Sequence, residues 1–298
     1  MSAGRTPLPV RGWRLIHLAV LLLEGMVRLL CVYPFLSHLA RIDMMHRWSL
    51  RAARALNLQI EVRGVPPLDR AHPALIVANH VSWLDVVVIS VVSPARFVAK
   101  SEIREWPLLG LLSDRAGTIF IERRRRQDTG RVNEIIRTAL EEGDRVALFP
   151  EGTTTDGRFM HRFHASLLQP AITVGAMLYP AAVRYVNADG SVNIDAAYWG
   201  DMSLLSSILL LVAQRDVRVQ VTFAPPIPTE RRKRRELARD VEQVIANALS
   251  VEVAHRTPGK GGDLPGARPT EPPPTGTRCP EPVAVPPAAD RALTSARK

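Results

Sequence analysis

Beyond Gln59, short apolar runs of strand length alternate with amphipathic stretches of helical period, and that alternation confines the chain to an α/β architecture. Residues 74–78, 96–99, 118–121, 146–149, 179–186 and 217–223 read as strands, and 84–92, 107–115, 129–142, 165–176, 202–214 and 230–250 as helices. Strands separated by helices need crossover connections, which predicts a layered, mixed or mainly parallel sheet flanked by helices. With 298 residues and 46% apolar content the chain has ample material for such a core.

The residues ahead of this alternation behave differently. An apolar stretch over 13–39 is interrupted by Glu24 and Arg28, and no small-x-small cleavage site follows it, which argues against a signal peptide. At about 100° per residue, Arg14, His17, Glu24 and Arg28 fall within roughly 80° of one another. A narrow polar stripe on an otherwise apolar helix suits a helix lying in a membrane interface, with the stripe toward headgroups or packed against the protein. Lipid on all sides would strand Glu24 and Arg28, so interfacial or shallow insertion is favoured over a full span. Pro34 is expected to end this helix, and a second one carrying Met44, Met45, Trp48 and Leu56 follows. Residues 202–212 form another strongly apolar helix, too short to cross a bilayer; a core position is favoured over an acyl-chain groove or a membrane-docking face. From His255 the composition shifts to Pro, Gly, Thr and Ala, including Pro272-Pro273-Pro274, and a disordered tail is predicted. The chain therefore divides into a membrane-associated helical segment (1–58), an α/β domain (59–254) and a tail (255–298).

Formal charge is +10, from 39 basic and 29 acidic residues, which favours an anionic partner. Nucleic-acid binding would set aromatic platforms or a known reading motif among the basic residues, and neither is present. The basic runs 123–126 and 231–235 fit an anionic membrane surface better, at about 1 kcal/mol per basic residue near such a surface. Cys31 and Cys279 are the 2 cysteines, one in an apolar segment and one in the tail. They offer neither a disulfide framework nor a metal-ligand cluster, and they point to a reducing, cytoplasmic setting.

The chemistry concentrates where strands end. Asn79-His80-Val81-Ser82-Trp83-Leu84-Asp85 follows the first buried strand. A histidine takes a proton from a hydroxyl near physiological pH, and a carboxylate on its other ring nitrogen fixes the tautomer and stabilises the imidazolium. Positions five apart do not share a face of a regular helix, so His80 must lie on the strand-to-helix turn for Asp85 to fold back toward it. Ser82 followed by Asp85 also resembles a capping box, which would make Asp85 a helix cap alone. Two further strand ends carry polar groups. Arg123 closes the run Gly117-Thr118-Ile119-Phe120-Ile121-Glu122-Arg123, with a planar fork suited to phosphate. Phe149-Pro150-Glu151-Gly152-Thr153 offers a glycine for close approach and polar contacts from Glu151 and Thr153, but lacks the lysine of a nucleotide-binding loop. Pro180, inside Leu178-Tyr179-Pro180-Ala181-Ala182-Val183, suggests an irregular strand nearby.

Taken in this order, these pieces resemble the glycerolipid acyltransferase family, over roughly 59–228. The resemblance implies that His80 is the general base and Asp85 its orienting partner, and that Asn79, Arg123 and Glu151-Gly152-Thr153 bind the acceptor. Pro180 would lie in the strand bordering the acyl site. It further implies direct transfer from an acyl-CoA or acyl carrier protein thioester to the hydroxyl of a lysolipid, with no other cofactor and no metal. The leading acceptor is 1-acylglycerol-3-phosphate, at the cytoplasmic face of a membrane held by the N-terminal apolar helix. Two departures bear on the acceptor. Thr154 stands where phosphatidic-acid-forming members often carry Arg, leaving Arg158 and Arg162 as replacement cations, and Phe163-His164-Ala165-Ser166 stands where relatives often show Phe-Lys-x-Gly. Glu-Gly-Thr-Thr with a following Asp-Gly resembles the branch that acylates lyso-ornithine lipid, which is the second acceptor weighed. A basic, non-catalytic membrane-binding protein is the alternative of another class. A serine esterase is disfavoured by the lack of a Gly-x-Ser-x-Gly elbow.

Overall fold

The computed structural model describes residues 5–69, 72–105, 109–121 and 126–254. Arg123 and the tail from 255 onward lie outside them. In chain order the elements are α1 (Leu8–Cys31), α2 (His38–Ala55), β1 (Leu58–Arg63), β2 (Ala74–Ala78), α3 (Leu84–Val92), β3 (Arg96–Lys100), α4 (Leu109–Arg115), β4 (Ile119–Ile121) and α5 (Arg126–Glu141). There follow β5 (Arg145–Leu148), β6 (Phe159–His161), α6 (Gln169–Val174), β7 (Met177–Val186), α7 (Leu204–Ala213), β8 (Val217–Phe223), α8 (Arg234–Leu249) and β9 (Glu252–Ala254).

Seven strands form one sheet in the order β1-β8-β7-β2-β5-β3-β4, with every neighbouring pair parallel except β7 with β8. The mixed, mainly parallel layered sheet expected from the alternation is what forms. All five residues of β2 are buried, as a central strand covered on both faces requires. Its side chains alternate between two cores: Leu75 and Val77 pack with α5, α6 and α8, while Ile76 and Ala78 pack with α3 and α7. Strands β1, β6 and β9 were not singled out by the sequence, and β6 with β9 forms a separate two-stranded ribbon. The helix expected over 165–176 is a 3₁₀ turn at Ala165–Leu168 followed by α6, which ends at Gly175 in a left-handed conformation.

Pro180 sits within β7, in register with Val77 of β2. Its carbonyl accepts from Ala224 N just past the end of β8, so the missing N–H falls beyond the β7–β8 ladder, which begins at Ala181 opposite Phe223.

Among the described residues no helix is long and apolar enough to cross a membrane. Arg14 and Glu24 of the polar stripe on α1 pack against the protein, while His17 and Arg28 stay exposed. Arg14 donates to the carbonyls of Gln214 (2.5 Å) and Arg215 (3.0 Å), and Glu24 pairs with Arg28 and with Arg51 of α2, each at 2.5 Å. Close approach of α1 and α2 depends on Gly25, where a Cβ would meet Trp48 Nε1 at 2.6 Å. Trp13, Ile16, Val20, Leu23, Val27 and Leu30, spaced three and four apart, are left exposed on α1. Helix α7 buries Ser207, Leu211, Val212 and Ala213 but exposes Leu205 and Leu209, so it is a core helix with one apolar edge in the open. Helix α8 lies on the other side of the sheet from α3 and α7.

Candidate active site

Because β2 and β5 are parallel neighbours, the loops after them emerge side by side at the same sheet edge. The chain leaves β2 through Asn79, which is buried and clips onto the adjacent strand with both ends of its amide. Nδ2 donates to Val183 O at 2.9 Å, and Oδ1 accepts from Val183 N at 2.7 Å. Residue 80 is thereby held at the exit of the strand.

From there Asp85 folds back as the spacing requires. His80 Nδ1 lies 2.8 Å from Asp85 Oδ2, which also accepts from Val81 N at 2.8 Å and Ser82 N at 3.0 Å. The other oxygen, Oδ1, accepts from the hydroxyl of Tyr185 at 2.8 Å. Both oxygens of the fully buried carboxyl group therefore have hydrogen-bond partners. Since Asp85 can only accept there, Nδ1 carries the ring hydrogen and Nε2 presents a lone pair. The imidazole is stacked on Phe149, with centroids 4.1 Å apart, and its side chain is 21% exposed on a cavity wall. Cap and orienter are the same residue: Asp85 reaches back to the N–H groups of the turn as in a capping box. The serine half is missing, because the N-cap is Trp83 and the buried Ser82 hydroxyl has no partner among the described residues. The N–H groups of Val81 and Ser82 are also unavailable to a developing oxyanion, contrary to what the start of a helix alone suggests.

The loop after β5 is locked to the same turn. Thr155 N donates to His80 O at 2.9 Å, and Gly152 adopts φ +67, a left-handed conformation open to glycine. Glu151 does not face the cavity. It is buried, with Oε1 accepting from His80 N and Oε2 from His161 N, each at 2.7 Å, so that its carboxylate ties the His80 turn to β6. Burial pushes this carboxyl up to about 8, and the nearby Asp85 and Glu242 add to the rise, while the two N–H donors oppose it.

The cavity has a volume of about 1000 Å³. His80, Gly152, Thr153 and Thr154 contribute polar wall, and Leu22, Leu29, Met44, Trp48, Trp83 and Phe97 contribute apolar wall from both N-terminal helices, α3 and β3. An imidazole with a free ring nitrogen facing a largely apolar cavity of this volume can bring a hydroxyl and an aliphatic chain together.

The Acyltransferase family model matches residues 59–184. Lyso-ornithine lipid O-acyltransferase of Pseudomonas aeruginosa is 37% identical over 202 residues, covering 68% of this chain and 76% of that protein. This chain belongs to the acyltransferase family. A 1-acyl-sn-glycerol-3-phosphate acyltransferase of Neisseria gonorrhoeae is also 37% identical, over 172 residues, covering 58% of this chain and 67% of the relative. The crystal structure of the 1-acyl-sn-glycerophosphate acyltransferase of Thermotoga maritima superposes with a TM-score of 0.56 at 20% identity, over 80% of this chain and 96% of that one, a likeness of fold.

In this acyltransferase the candidate residues separate into distinct places. His80, Gly152 and Thr153 line the cavity, with Asp85 directly behind His80. Asn79 and Glu151, expected to bind the acceptor, are buried and engaged with backbone partners instead. Arg158 and Arg162 are exposed, and Arg158 lies 3.9 Å from Asp156, away from the cavity wall. No cluster of potential metal ligands occurs among the described residues. Sequence reasoning missed Tyr185 and Trp83. A lone hydroxyl-bearing ring in an apolar strand, and an indole within the motif itself, are the signals that could have raised them. Trp83 Nε1 donates to Ser207 Oγ at 3.1 Å and so joins α3 to α7 beside the site.

Proposed function

We propose that this protein is a membrane-associated O-acyltransferase that moves a fatty acyl group from an acyl thioester to the free hydroxyl of a lysolipid. The observation that carries this reading is the His80–Asp85 bond at the wall of a cavity large enough for an aliphatic chain. His80 Nε2 takes the proton of the acceptor hydroxyl as its oxygen attacks the thioester carbonyl carbon. The tetrahedral intermediate then collapses, the C–S bond breaks, and the departing thiolate receives the proton from Nε2. Asp85 stabilises the imidazolium formed between these steps, and no acyl-enzyme is needed. The donor is an acyl-CoA or acyl carrier protein thioester, and its chain lies along the apolar wall between α2 and α3.

The acceptor is a lysolipid, with 1-acylglycerol-3-phosphate as the first reading and phosphatidic acid as its product. Lyso-ornithine lipid is the second. It is favoured by Thr154 on the cavity wall, where an arginine would be expected for a phosphate, and by the names of the Pseudomonas relative and of a Rhizobium meliloti relative 33% identical over 260 residues. The exposed apolar stripe of α1 supports docking in the lipid interface, which brings the site to a substrate that resides in the bilayer, and the cytoplasmic face is the side proposed.

The test is to offer the membrane-bound protein a labelled acyl thioester with both lysolipids in competition and to identify the diacyl product. Phosphatidic acid is expected on the first reading and acylated ornithine lipid on the second. Free fatty acid alone, or inactivity on both lysolipids, overturns acyl transfer.

A further inference from the structure

Asp85 is the one member of the dyad that never reaches the cavity, so what fixes it fixes His80. Its Oδ2 has three donors from its own turn: His80 Nδ1 and the N–H groups of Val81 and Ser82. All three come from a segment that must also hold the substrate-facing ring. Its Oδ1 is met by a single side chain from elsewhere, the hydroxyl of Tyr185, 100 residues along the chain and 2.8 Å away. Tyr185 is buried in the middle of the sheet, in β7 opposite Val219 of β8, with no route to substrate. Two strands farther along the order, β5 carries the loop whose Glu151 holds the main chain of His80.

We infer that Tyr185 is a positioning residue of the acyl transfer, holding the plane of the Asp85 carboxylate so that Oδ2 faces the imidazole of His80. The inference rests on the acyl-transfer reading of the His80–Asp85 pair. A carboxylate rotates about its Cβ–Cγ bond, and bonds to one oxygen alone constrain that rotation weakly. A donor on the second oxygen, delivered by a strand, converts a local turn into a rigid mount. The same donor draws electron density from the carboxylate and so sets how strongly Asp85 holds a proton on His80. Burial and the neighbouring Asp85 push the pKa of the phenol well above its ordinary value, so the hydroxyl keeps its hydrogen and remains a donor throughout the working range. Among the described residues, the ionisable groups facing Asp85 are His80 on its own turn, Tyr185 from β7 and Glu151 from the loop after β5.

Two substitutions of opposite sense test this in the full-length protein. Tyr185→Phe removes the donor and leaves the ring. Kcat is expected to fall by about tenfold to a hundredfold, as for loss of a bond to a buried charge, with KM for both substrates within about twofold. The acid limb of the pH–rate profile should move upward by about 0.5 in pH, because a carboxylate with one donor fewer holds the imidazolium more tightly. Site-specific 3-fluorotyrosine at position 185 is a stronger donor of nearly the same size, and should move the limb downward. If Tyr185→Phe keeps the wild-type kcat and limb, with at most a lower Tm, or if both variants move the limb the same way, the positioning role is overturned. The imidazole titration of His80, followed by NMR and identified as the signal missing in His80→Gln, should show the same opposed displacements without any turnover. A wild-type protein that forms no diacyl lipid would defeat the acyl-transfer reading and with it the role of Tyr185 in turnover, whereas absent displacements in the titration of an active enzyme would overturn the positioning role alone.

Discussion

The loops after β2 and β5 leave the sheet side by side, and each carries one carboxylate within a short polar motif, yet the two motifs are built in opposite senses. After β2 the carboxylate is buried in order to hold an ionisable ring on the cavity wall, so the charge of Asp85 acts on the site through His80. After β5 the carboxylate is buried in order to hold main chain, and Glu151 presents nothing to the cavity. What that second loop offers substrate is uncharged: Gly152, Thr153 and Thr154. Charge in a motif is therefore no guide to charge in a site. A buried carboxylate requires donors to offset its lost hydration, and where those donors are backbone N–H groups the outcome is a strut.

The largest expected effect falls on the β2 side. His80→Ala removes the proposed base but none of the bonds that hold the turn through Asn79, Val81, Ser82 and Tyr185, so turnover should drop by about a thousandfold, within the range for loss of general base catalysis. Thermal stability should change little. Comparison of steady-state rates with unfolding curves checks both halves, and turnover near the wild-type level would reject the mechanism.

Glu151→Gln should reverse that pattern. The amide keeps one acceptor oxygen and turns an NH₂ group toward the other N–H, leaving either His80 or His161 with an orphaned buried donor. Stability should fall by about 1–3 kcal/mol. Turnover should fall as well, because the main chain of His80 is no longer held, while KM for the thioester is retained. The pH dependence follows from the raised carboxyl. In the folded protein Glu151 holds its proton up to about 8, and in the unfolded chain only to the ordinary value of 4.5. Between these limits the folded state binds more protons, so the contribution of this group is fully present below the lower limit and is lost as pH rises through the upper one. Denaturation midpoints measured across that window should decline for the wild type and decline less for Glu151→Gln. Equal slopes would place the titration elsewhere.

How far the sequence foresaw this contrast depends on where each polar group finds its partner. Six of the seven strands of the main sheet, its mainly parallel order and the His80–Asp85 pairing were legible because apolar period and a spacing of five residues are local quantities. The roles of Asn79, Glu151 and Tyr185 were not. Their partners lie 104, 71 and 100 residues away, and only the finished sheet brings them together. The polar stripe on α1 was visible as a stripe, but its destination, the carbonyls that follow α7, is likewise a tertiary fact. Ribbon β6–β9 escaped because three-residue strands carry too little period to register.

The smallest expected effect probes the uncharged character of the β5 loop. Thr154 is partly buried on the cavity wall, adjacent to Thr153 and anchored from behind by Thr155, whose N–H bonds His80 O. An arginine there would add a planar fork of donors without disturbing the strut formed by Glu151. If the acceptor headgroup sits against this wall, Thr154→Arg should raise the preference for 1-acylglycerol-3-phosphate over lyso-ornithine lipid. A charge-assisted contact at a half-open site contributes about 1 kcal/mol after solvent screening, which is about fivefold in the ratio of kcat/KM values. Competition between the two lysolipids, read as the ratio of diacyl products, measures it directly. An unchanged ratio with intact turnover would mean that the headgroup is recognised away from the β5 loop, leaving Arg123, which closes the 117–123 motif, as the residue to change.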